Sequence, residues 1–262
     1  MRVICVSNMK GGVGKTVTAW SIAAGLADRG FRVLAVDSDP QCNLTFVSGY
    51  LSFELENTLN NIYRKESTAE DCIISTEAGY DILPGHLDLN AADLNYSGKP
   101  CRESILRRAL KSVRDRYDFC VIDTPPHIGL LVQNCLYIDE DTDIIIPMNA
   151  ELFSIQGLSS YLNTLEQVKV ELDDPRFNIS GVLITMLENR TAIENAYAEN
   201  IAEVAEANGI HLFNSRIRKH AKIKYAMLEP RDIFEYCPNV SAANDYNKFI
   251  DEYLERIGMK NG

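Results

Sequence analysis

The sequence lacks the features that export and membrane insertion require. Nowhere in its 262 residues do about eighteen apolar residues run together, and no apolar leader precedes the first predicted strand, which begins at Arg2. The sequence therefore predicts a cytoplasmic protein that neither crosses nor enters a membrane.

Cysteine and histidine are present but scattered. The seven cysteines include no CxxC pair, and Cys5 and Cys120 lie inside apolar runs, so we expect reduced core thiols rather than disulfides or a metal site. A metabolic phosphotransferase would need a further pocket of placed polar groups for its acceptor. The isolated histidines do not form one; they are His86, His127, His211 and His220.

Apolar segments alternate with helical patterns along the whole chain. Short apolar runs recur near Val3, Val33, Tyr80, Phe119, Asp143 and Ile179, and helical periodicity covers residues 159–170 and 192–207. This order predicts an α/β fold with a doubly wound, mostly parallel sheet, organised as a single domain over residues 1–262. The polar segment 54–77 carries no recognisable motif, and we expect at most short helices there.

A glycine-rich loop follows the first predicted strand. It reads Lys10-Gly11-Gly12-Val13-Gly14-Lys15-Thr16, with Val17 and an alanine-rich helical pattern after it. In such a loop the backbone N–H groups surround phosphates, Lys15 reaches the β- and γ-phosphates, and the Thr16 hydroxyl is placed to hold Mg²⁺. The start of the following helix adds positive charge. The loop predicts binding of a nucleoside triphosphate.

The second lysine of the loop makes it unusual. Lys10 stands where an ordinary phosphate loop has glycine, and it lies too close to the turn to duplicate the task of Lys15. KGGVGKT resembles the deviant Walker A loop of the ParA/Soj and MinD ATPases. In that family this lysine reaches the nucleotide of the partner subunit, so the resemblance implies ATP as the nucleotide, a catalytic role for Lys10 and an ATP-bound homodimer.

Carboxylates follow two later apolar runs. Asp37 and Asp39 end the segment VLAVDSDPQ, and Asp123 ends FCVIDTPP. Because parallel strands place their carboxyl ends at one edge of a sheet, these groups could hold Mg²⁺ and orient a water molecule there. Both segments resemble motifs of the ParA family, which implies that Asp39 positions the attacking water and that Thr16, Asp37 and Asp123 serve magnesium.

A basic cluster lies near the end of the chain, although the formal net charge is -11. No acidic residue interrupts it, and it contains Arg216, Arg218, Lys219, Lys222 and Lys224. The segments 214–218 and 189–191 resemble two elements through which ParA/Soj proteins contact DNA without sequence preference. The resemblance implies that Arg190 and Arg218 are the main DNA-binding candidates, with Arg216 and the three lysines assisting. The alternative is a solvated helix face. A second basic segment, 102–116, has the periodicity of a surface helix and is a further candidate for contacts with DNA phosphates.

The resemblance covers nearly the whole chain, with some departures. Met9 replaces the usual glutamine, Val17 replaces a second threonine, and the element around Asn214 lacks its proline. In the related nitrogenase iron proteins, cluster cysteines lie in glycine-rich turns. Cys135 here lies in a helical pattern, so we expect no iron–sulfur cluster.

The resemblance implies a partition ATPase whose ATP-bound dimer binds DNA and whose hydrolysis is stimulated by a ParB-like centromere-binding partner. The alternative is a MinD-like spatial regulator or a cargo-positioning ATPase that does not act on DNA. MinD proteins bind membranes through a basic C-terminal helix. The predicted last helix here instead carries acidic residues on the side opposite its apolar face. Anionic lipid would repel these acidic side chains. They are Asp245, Asp251, Glu252 and Glu255.

Overall fold

The computed structural model describes residues 1–138, 142–151, 154–172, 177–188, 192–228, 232–236 and 238–259. The strands are β1 Arg2–Val6, β2 Val33–Asp37, β3 Ile74–Ser75, β4 Asp81–Leu83, β5 Phe119–Asp123, β6 Thr142–Asn149, β7 Phe177–Leu187 and β8 Leu212–Arg218. The helices are α1 Lys15–Asp28, α2 Asn43–Val47, α3 Leu59–Arg64, α4 Ala69–Cys72, α5 Ala92–Asn95, α6 Ile105–Leu110, α7 Leu130–Leu136, α8 Ser154–Leu172, α9 Ala192–Ala207, α10 Ala221–Ala226, α11 Ile233–Tyr236 and α12 Ser241–Arg256.

The strands form one sheet in the order β3-β4-β2-β5-β1-β6-β7-β8. Every neighbouring pair is parallel except β3 and β4, which are antiparallel. The predicted doubly wound, mostly parallel α/β fold is confirmed. Because β1 lies between β5 and β6, the first loop of the chain emerges at the centre of the sheet.

The central strands are buried on both faces, which explains their continuous apolar runs. In β1, Val3 and Cys5 point into the core beneath α3, α6, α7 and α8. Ile4 and Val6 point to the opposite core, beneath α1 and α12. The sheet is therefore held rigidly between two helical layers, and its carboxyl edge can carry a site.

Four of the buried thiols lie in the first of these cores. Cys5, Cys120 and Cys135 are fully buried there, and burial raises the pKa of the Cys120 thiol. Cys101, by contrast, is exposed.

In the described part of the chain, no helix combines the length and the apolarity needed to span a bilayer.

The basic segment 102–116 is not one continuous helix. Only Ile105–Leu110 is α-helical, between 3-10 turns at Arg102–Ser104 and Arg114–Arg116. The buried side chain of Asn134 accepts a hydrogen bond from the amide of Leu106 at 3.0 Å and donates one to the carbonyl of Arg102 at 2.9 Å. These bonds replace helical ones, so the helix starts late and is shorter than its periodicity predicts.

The last helix covers the edge strand β8, with its apolar side in the core. Two of its acidic side chains do not face solvent as expected. Asp245 accepts a hydrogen bond from the amide of Arg218, and Glu252 accepts bonds from the amides of Asn214 and Ser215. The β7–β8 register is irregular, so these β8 amides need other acceptors, and carboxylates of α12 supply them.

Candidate functional site

The glycine-rich loop joins β1 to α1 at the middle of the sheet. Gly12 and Gly14 have φ angles of 73° and 84°, a region that glycine enters without the steric cost of a side chain. The hydroxyl of Thr185, at the end of β7, donates a hydrogen bond to the carbonyl of Val13 at 2.8 Å. The loop is therefore fixed in shape, with α1 starting at Lys15 directly after it.

Lys15 lies inside this loop and is 7 % exposed. Its ammonium donates to the carbonyl of Lys10 at 3.1 Å. Burial lowers the pKa of Lys15, while the negative charges of Asp123 and Asp39 oppose that shift. A cation held among backbone amides at a helix start is the arrangement that binds the phosphates of a nucleotide.

Asp37 is fully buried at the end of β2, and its neighbours fix its orientation. Its Oδ2 accepts hydrogen bonds from the amide and the hydroxyl of Thr45, both at 2.7 Å. The amide of Gly85 in turn donates to that hydroxyl at 2.9 Å. A Cβ at position 85 would lie 2.8 Å from the carbonyl oxygen of Asp37, so glycine permits this close approach.

Asp123 lies beside Asp37 because the register of β2 and β5 pairs these two residues. Both of its carboxylate oxygens are buried, and neither accepts a hydrogen bond of normal geometry within the described residues. Burial, followed by the charge of Asp37, raises the pKa of Asp123, and the nearby Thr16 hydroxyl opposes the shift. Unpartnered carboxylate oxygens beside a threonine hydroxyl fit the oxygen ligands of Mg²⁺.

Asp39 is positioned by the turn that follows β2. Its Oδ1 accepts a hydrogen bond from the amide of Gln41 at 2.9 Å, and its own amide donates to Asp37 Oδ1 at 3.3 Å. Burial raises the pKa of Asp39, although the Gln41 amide and Lys15 favour its charged form. The carboxylate borders the same cavity as the phosphate loop, where a water molecule could reach it.

Lys10 is oriented by Asn8, which follows β1, and by Glu151, which follows β6. Its amide donates to the Asn8 side chain at 3.0 Å, and its ammonium forms an ion pair with Glu151 at 2.6 Å. Hydrogen bonds from Lys10 and then from Asn149 lower the pKa of Glu151. The Lys10 side chain is 38 % exposed, so its charge lies at the surface next to the loop rather than inside it.

A cavity of about 550 Å³ begins at the phosphate loop and extends to β8 and α10. Its far end is lined by apolar side chains, including Met186, Ile217, Ile223 and Met227. The phosphate-binding groups at one end fit the phosphates of a nucleotide, and the apolar groups at the other end fit its base.

The structure divides the predicted basic cluster between two elements. Arg216 and Arg218 lie on β8, and Lys222 and Lys224 lie on α10. Arg218, Lys219 and Lys224 border the nucleotide cavity, while Lys219 also pairs with Glu188 and Arg218 with Asp245. Arg190 lies outside the described residues.

Sequence reasoning did not identify Thr45, Gly85 and Glu151. Thr45 could have been found as a hydroxyl residue eight positions after Asp37, on the helix that follows the acidic turn. Glu151 lies 141 positions from Lys10, and nothing in the local sequence indicates that the two side chains pair.

The fold and the loop define the class of protein: a P-loop nucleotide hydrolase with a second lysine at the start of its loop. A family model described as an AAA domain matches residues 1–179. The sporulation initiation inhibitor protein Soj of Bacillus subtilis is 34% identical over 246 residues, which cover 94% of this chain and 95% of Soj. The chromosome partitioning protein ParA of Caulobacter vibrioides is 30% identical over 260 residues, 98% of this chain and 95% of that protein.

A solved structure is similar over the same length. Cobyrinic acid a,c-diamide synthase from Mycobacterium smegmatis, crystallised with ADP and magnesium, superposes with a TM-score of 0.83 at 28% identity, covering 98% of this chain and 95% of that one. The chain belongs to the ParA/MinD family of P-loop ATPases.

The buried carboxylates predict a proton release. Burial raises the pKa of Asp37 to about 7, so in the unliganded protein this group is partly protonated near neutral pH. Its folded pKa exceeds its unfolded pKa of about 3.9, so its ionisation costs stability as pH rises between the two values. Binding of a divalent cation favours the ionised form. We therefore expect Mg²⁺–ATP binding to release protons and to weaken as pH falls from about 8 to about 6.

Calorimetry in buffers of different ionisation enthalpy measures this release. The Asp37→Asn variant is the comparison, since it removes one of the two titrating carboxylates, together with the charge that helps to raise the pKa of Asp123, and leaves unchanged the protons that ATP itself exchanges. Equal proton release by the variant and the unaltered chain would show that this pair of carboxylates is already ionised before the nucleotide binds.

Proposed function

We propose that this chain is a DNA partition ATPase, whose ATP-bound homodimer binds DNA without sequence preference and releases it after hydrolysis. The observation that carries the proposal is the shared cavity: basic residues of β8 and α10 border the same cavity as the phosphate loop. Occupancy by a nucleotide can therefore alter the position of cations that face a polyanion.

ATP with Mg²⁺ occupies the cavity in this proposal. Lys15 and the amides of residues 11–17 bind the phosphates, while Thr16 and Asp123, with Asp37 beside them, hold Mg²⁺. The cation neutralises phosphate charge when it is bound. Asp39 accepts a hydrogen bond from the attacking water and orients it toward the γ-phosphate.

Dimerisation gives Lys10 a second partner. In the single chain its ammonium is paired with Glu151 at the surface. In the proposed dimer it turns to the nucleotide of the partner subunit, whose phosphates offer more negative charge than one exposed carboxylate. Added positive charge beside the β- and γ-phosphates stabilises the transition state of phosphoryl transfer.

The DNA surface comprises the exposed basic residues on β8 and α10, with Arg190 as a further candidate. Arg216, Lys219, Lys222 and Lys224 are all exposed. A net charge of -11 disfavours DNA binding by the surface as a whole, so this local cluster has to supply the phosphate contacts. A two-fold dimer presents the cluster twice, which makes DNA affinity depend on ATP.

Release from DNA requires hydrolysis. A ParB-like centromere-binding protein stimulates it in this proposal, and the ATPase itself associates with the nucleoid in the cytoplasm. The name of the Caulobacter relative, a chromosome partitioning protein, supports this role.

The test is binding to a labelled random-sequence duplex with ATP, ADP or no nucleotide, at low and at moderate salt. We expect binding only with ATP, and weaker binding as salt increases. The double variant Lys222→Glu/Lys224→Glu should lose most of this affinity, because two attractive phosphate contacts become repulsive. Each lost contact should also make the log–log salt dependence shallower by about 0.9.

Lys65→Glu/Lys99→Glu is the matched control, since it makes the same charge change just after α3 and just after α5, on a different part of the surface. It should bind DNA nearly as well as the unaltered chain. Equal losses in the two double variants would assign the effect to total charge rather than to this cluster. No binding in any nucleotide state would contradict the proposal and favour a role in positioning cargo without DNA.

A further inference from the structure

The carboxylate of Asp245 holds one of the proposed DNA-binding side chains in a defined orientation. Arg218 donates to it through Nε at 2.8 Å and Nη2 at 2.6 Å, and its backbone amide donates at 3.0 Å. Nη2 also approaches the carbonyl of Ser241 at 3.4 Å. Among the described residues, these bonds use the Nε edge of the guanidinium and leave Nη1 for a ligand.

Burial differs between the two partners. The Asp245 side chain is 8 % exposed, whereas that of Arg218 is 42 % exposed. The carboxylate is therefore shielded from solvent and from DNA, while the guanidinium reaches the surface. An arginine fixed on one edge and exposed on the other loses little side-chain entropy when it binds a phosphate.

The same turn of α12 is attached to the nucleotide site. The hydroxyl groups of Tyr246 and Thr18 lie 3.0 Å apart, both buried, and Thr18 is on α1 directly after the phosphate loop. Tyr246 also lines the nucleotide cavity. Asp245 thus fixes Arg218 relative to the helix that begins at the phosphates.

We propose that Asp245 is a positioning residue for DNA binding: by engaging Nε and Nη2, it directs the Nη1 edge of Arg218 toward a DNA phosphate. This inference rests on the proposed DNA-binding function. Positioning and charge alone predict opposite effects on DNA binding when Asp245 is replaced. Removing a negative charge close to a DNA surface should strengthen binding, whereas losing a positioning residue should weaken it.

The experiment compares Asp245→Asn with Asp251→Asn in the duplex-binding assay with ATP. Asp251 is on the same helix and its ion pair is with Arg29, so it is a matched control for charge. We expect Asp245→Asn to weaken DNA binding about threefold to tenfold with ATP affinity unchanged, and Asp251→Asn to bind as the unaltered chain does or slightly more tightly. DNA binding by Asp245→Asn that equals or exceeds that of the unaltered chain would overturn the inference.

A double-mutant comparison separates positioning from a general structural effect. In an Arg218→Ala background, Asp245→Asn should no longer change DNA affinity, because the side chain that it positions is gone. An equal penalty in both backgrounds would mean that Asp245 acts through the fold rather than through Arg218. If the unaltered chain binds no DNA with ATP, the proposed function fails and the inference fails with it.

A measurement on the unaltered chain does not depend on whether a variant folds. The Nε–H of Arg218 should exchange with solvent more slowly than that of the exposed Arg216 on the same strand, as read from ¹⁵N-detected arginine resonances. Equally fast exchange at the two arginines would show that the carboxylate does not hold Arg218 in solution.

Discussion

Replacing Lys15 with alanine is expected to weaken ATP binding by about a hundredfold or more, equivalent to about 3 kcal/mol. The lysine is 7 % exposed and its ammonium lies inside the phosphate loop, against the carbonyl of Lys10. In the variant, the nucleotide phosphates would meet Asp123 and Asp39 without this cation between them. The loss therefore combines a missing charge-assisted contact with uncompensated repulsion.

Fluorescence titration with a labelled ATP analogue would measure the loss, and thermal unfolding without nucleotide would show whether the variant is folded. Lys111→Ala removes an exposed lysine far along the chain from the loop and is the matched control. A folded Lys15→Ala protein whose ATP affinity falls by no more than about threefold would remove Lys15 from the site.

The central strands were predictable from the sequence, because each is a short apolar run followed by a loop or a carboxylate. Apolar runs near Val3, Val33 and Phe119 are central strands buried on both faces, and each ends in a loop or a carboxylate at the same edge of the sheet. The register then places Asp37 beside Asp123. The sequence predicted that these two carboxylates would meet, because parallel strands bring their carboxyl ends together.

The edge strand β8 was not predictable in the same way. Its sequence LFNSRIR contains four polar residues, and its pairing with β7 is irregular, so neither a continuous apolar run nor a clean alternation marks it as a strand. Arg216 and Arg218 were therefore considered together with the lysines of α10, as one basic stretch. The structure separates them, since strand and helix orient their side chains by different periods.

Pairings between distant charged residues were also beyond the sequence. Arg218 looked free to bind phosphate, yet it shares a carboxylate with its own backbone amide. Lys10 looked free as well, and it is paired with Glu151. Each partner is identified only once the strands and helices are packed, because charge along the chain does not indicate which surfaces meet. In the proposed activity, Lys10 has to leave Glu151 for the nucleotide of the partner subunit, and Arg218 has to face DNA while it stays paired.

Asp39 is the residue on which hydrolysis is expected to depend most. Its neighbour Asp37 is fully buried and engaged by Thr45, so Asp37 cannot turn toward a water molecule without losing those bonds. Asp39 is 8 % exposed and borders the cavity. Of the two, Asp39 is thus the carboxylate with access to a water at the γ-phosphate.

Asp39→Ala is expected to reduce ATP hydrolysis by about 10²- to 10⁴-fold while ATP binding persists. The change removes the group that orients and activates the water but leaves Lys15 and the loop amides in place.

Asp39→Asn separates the shape of the side chain from its charge. Its side-chain oxygen can still accept the hydrogen bond from the Gln41 amide, so the turn keeps its geometry while the carboxylate is lost. Both variants should therefore be equally slow in a phosphate-release assay, and with ATP both should remain dimeric in light scattering. Normal hydrolysis in Asp39→Asn with slow hydrolysis in Asp39→Ala would instead assign Asp39 to holding the turn, and the water would need another base.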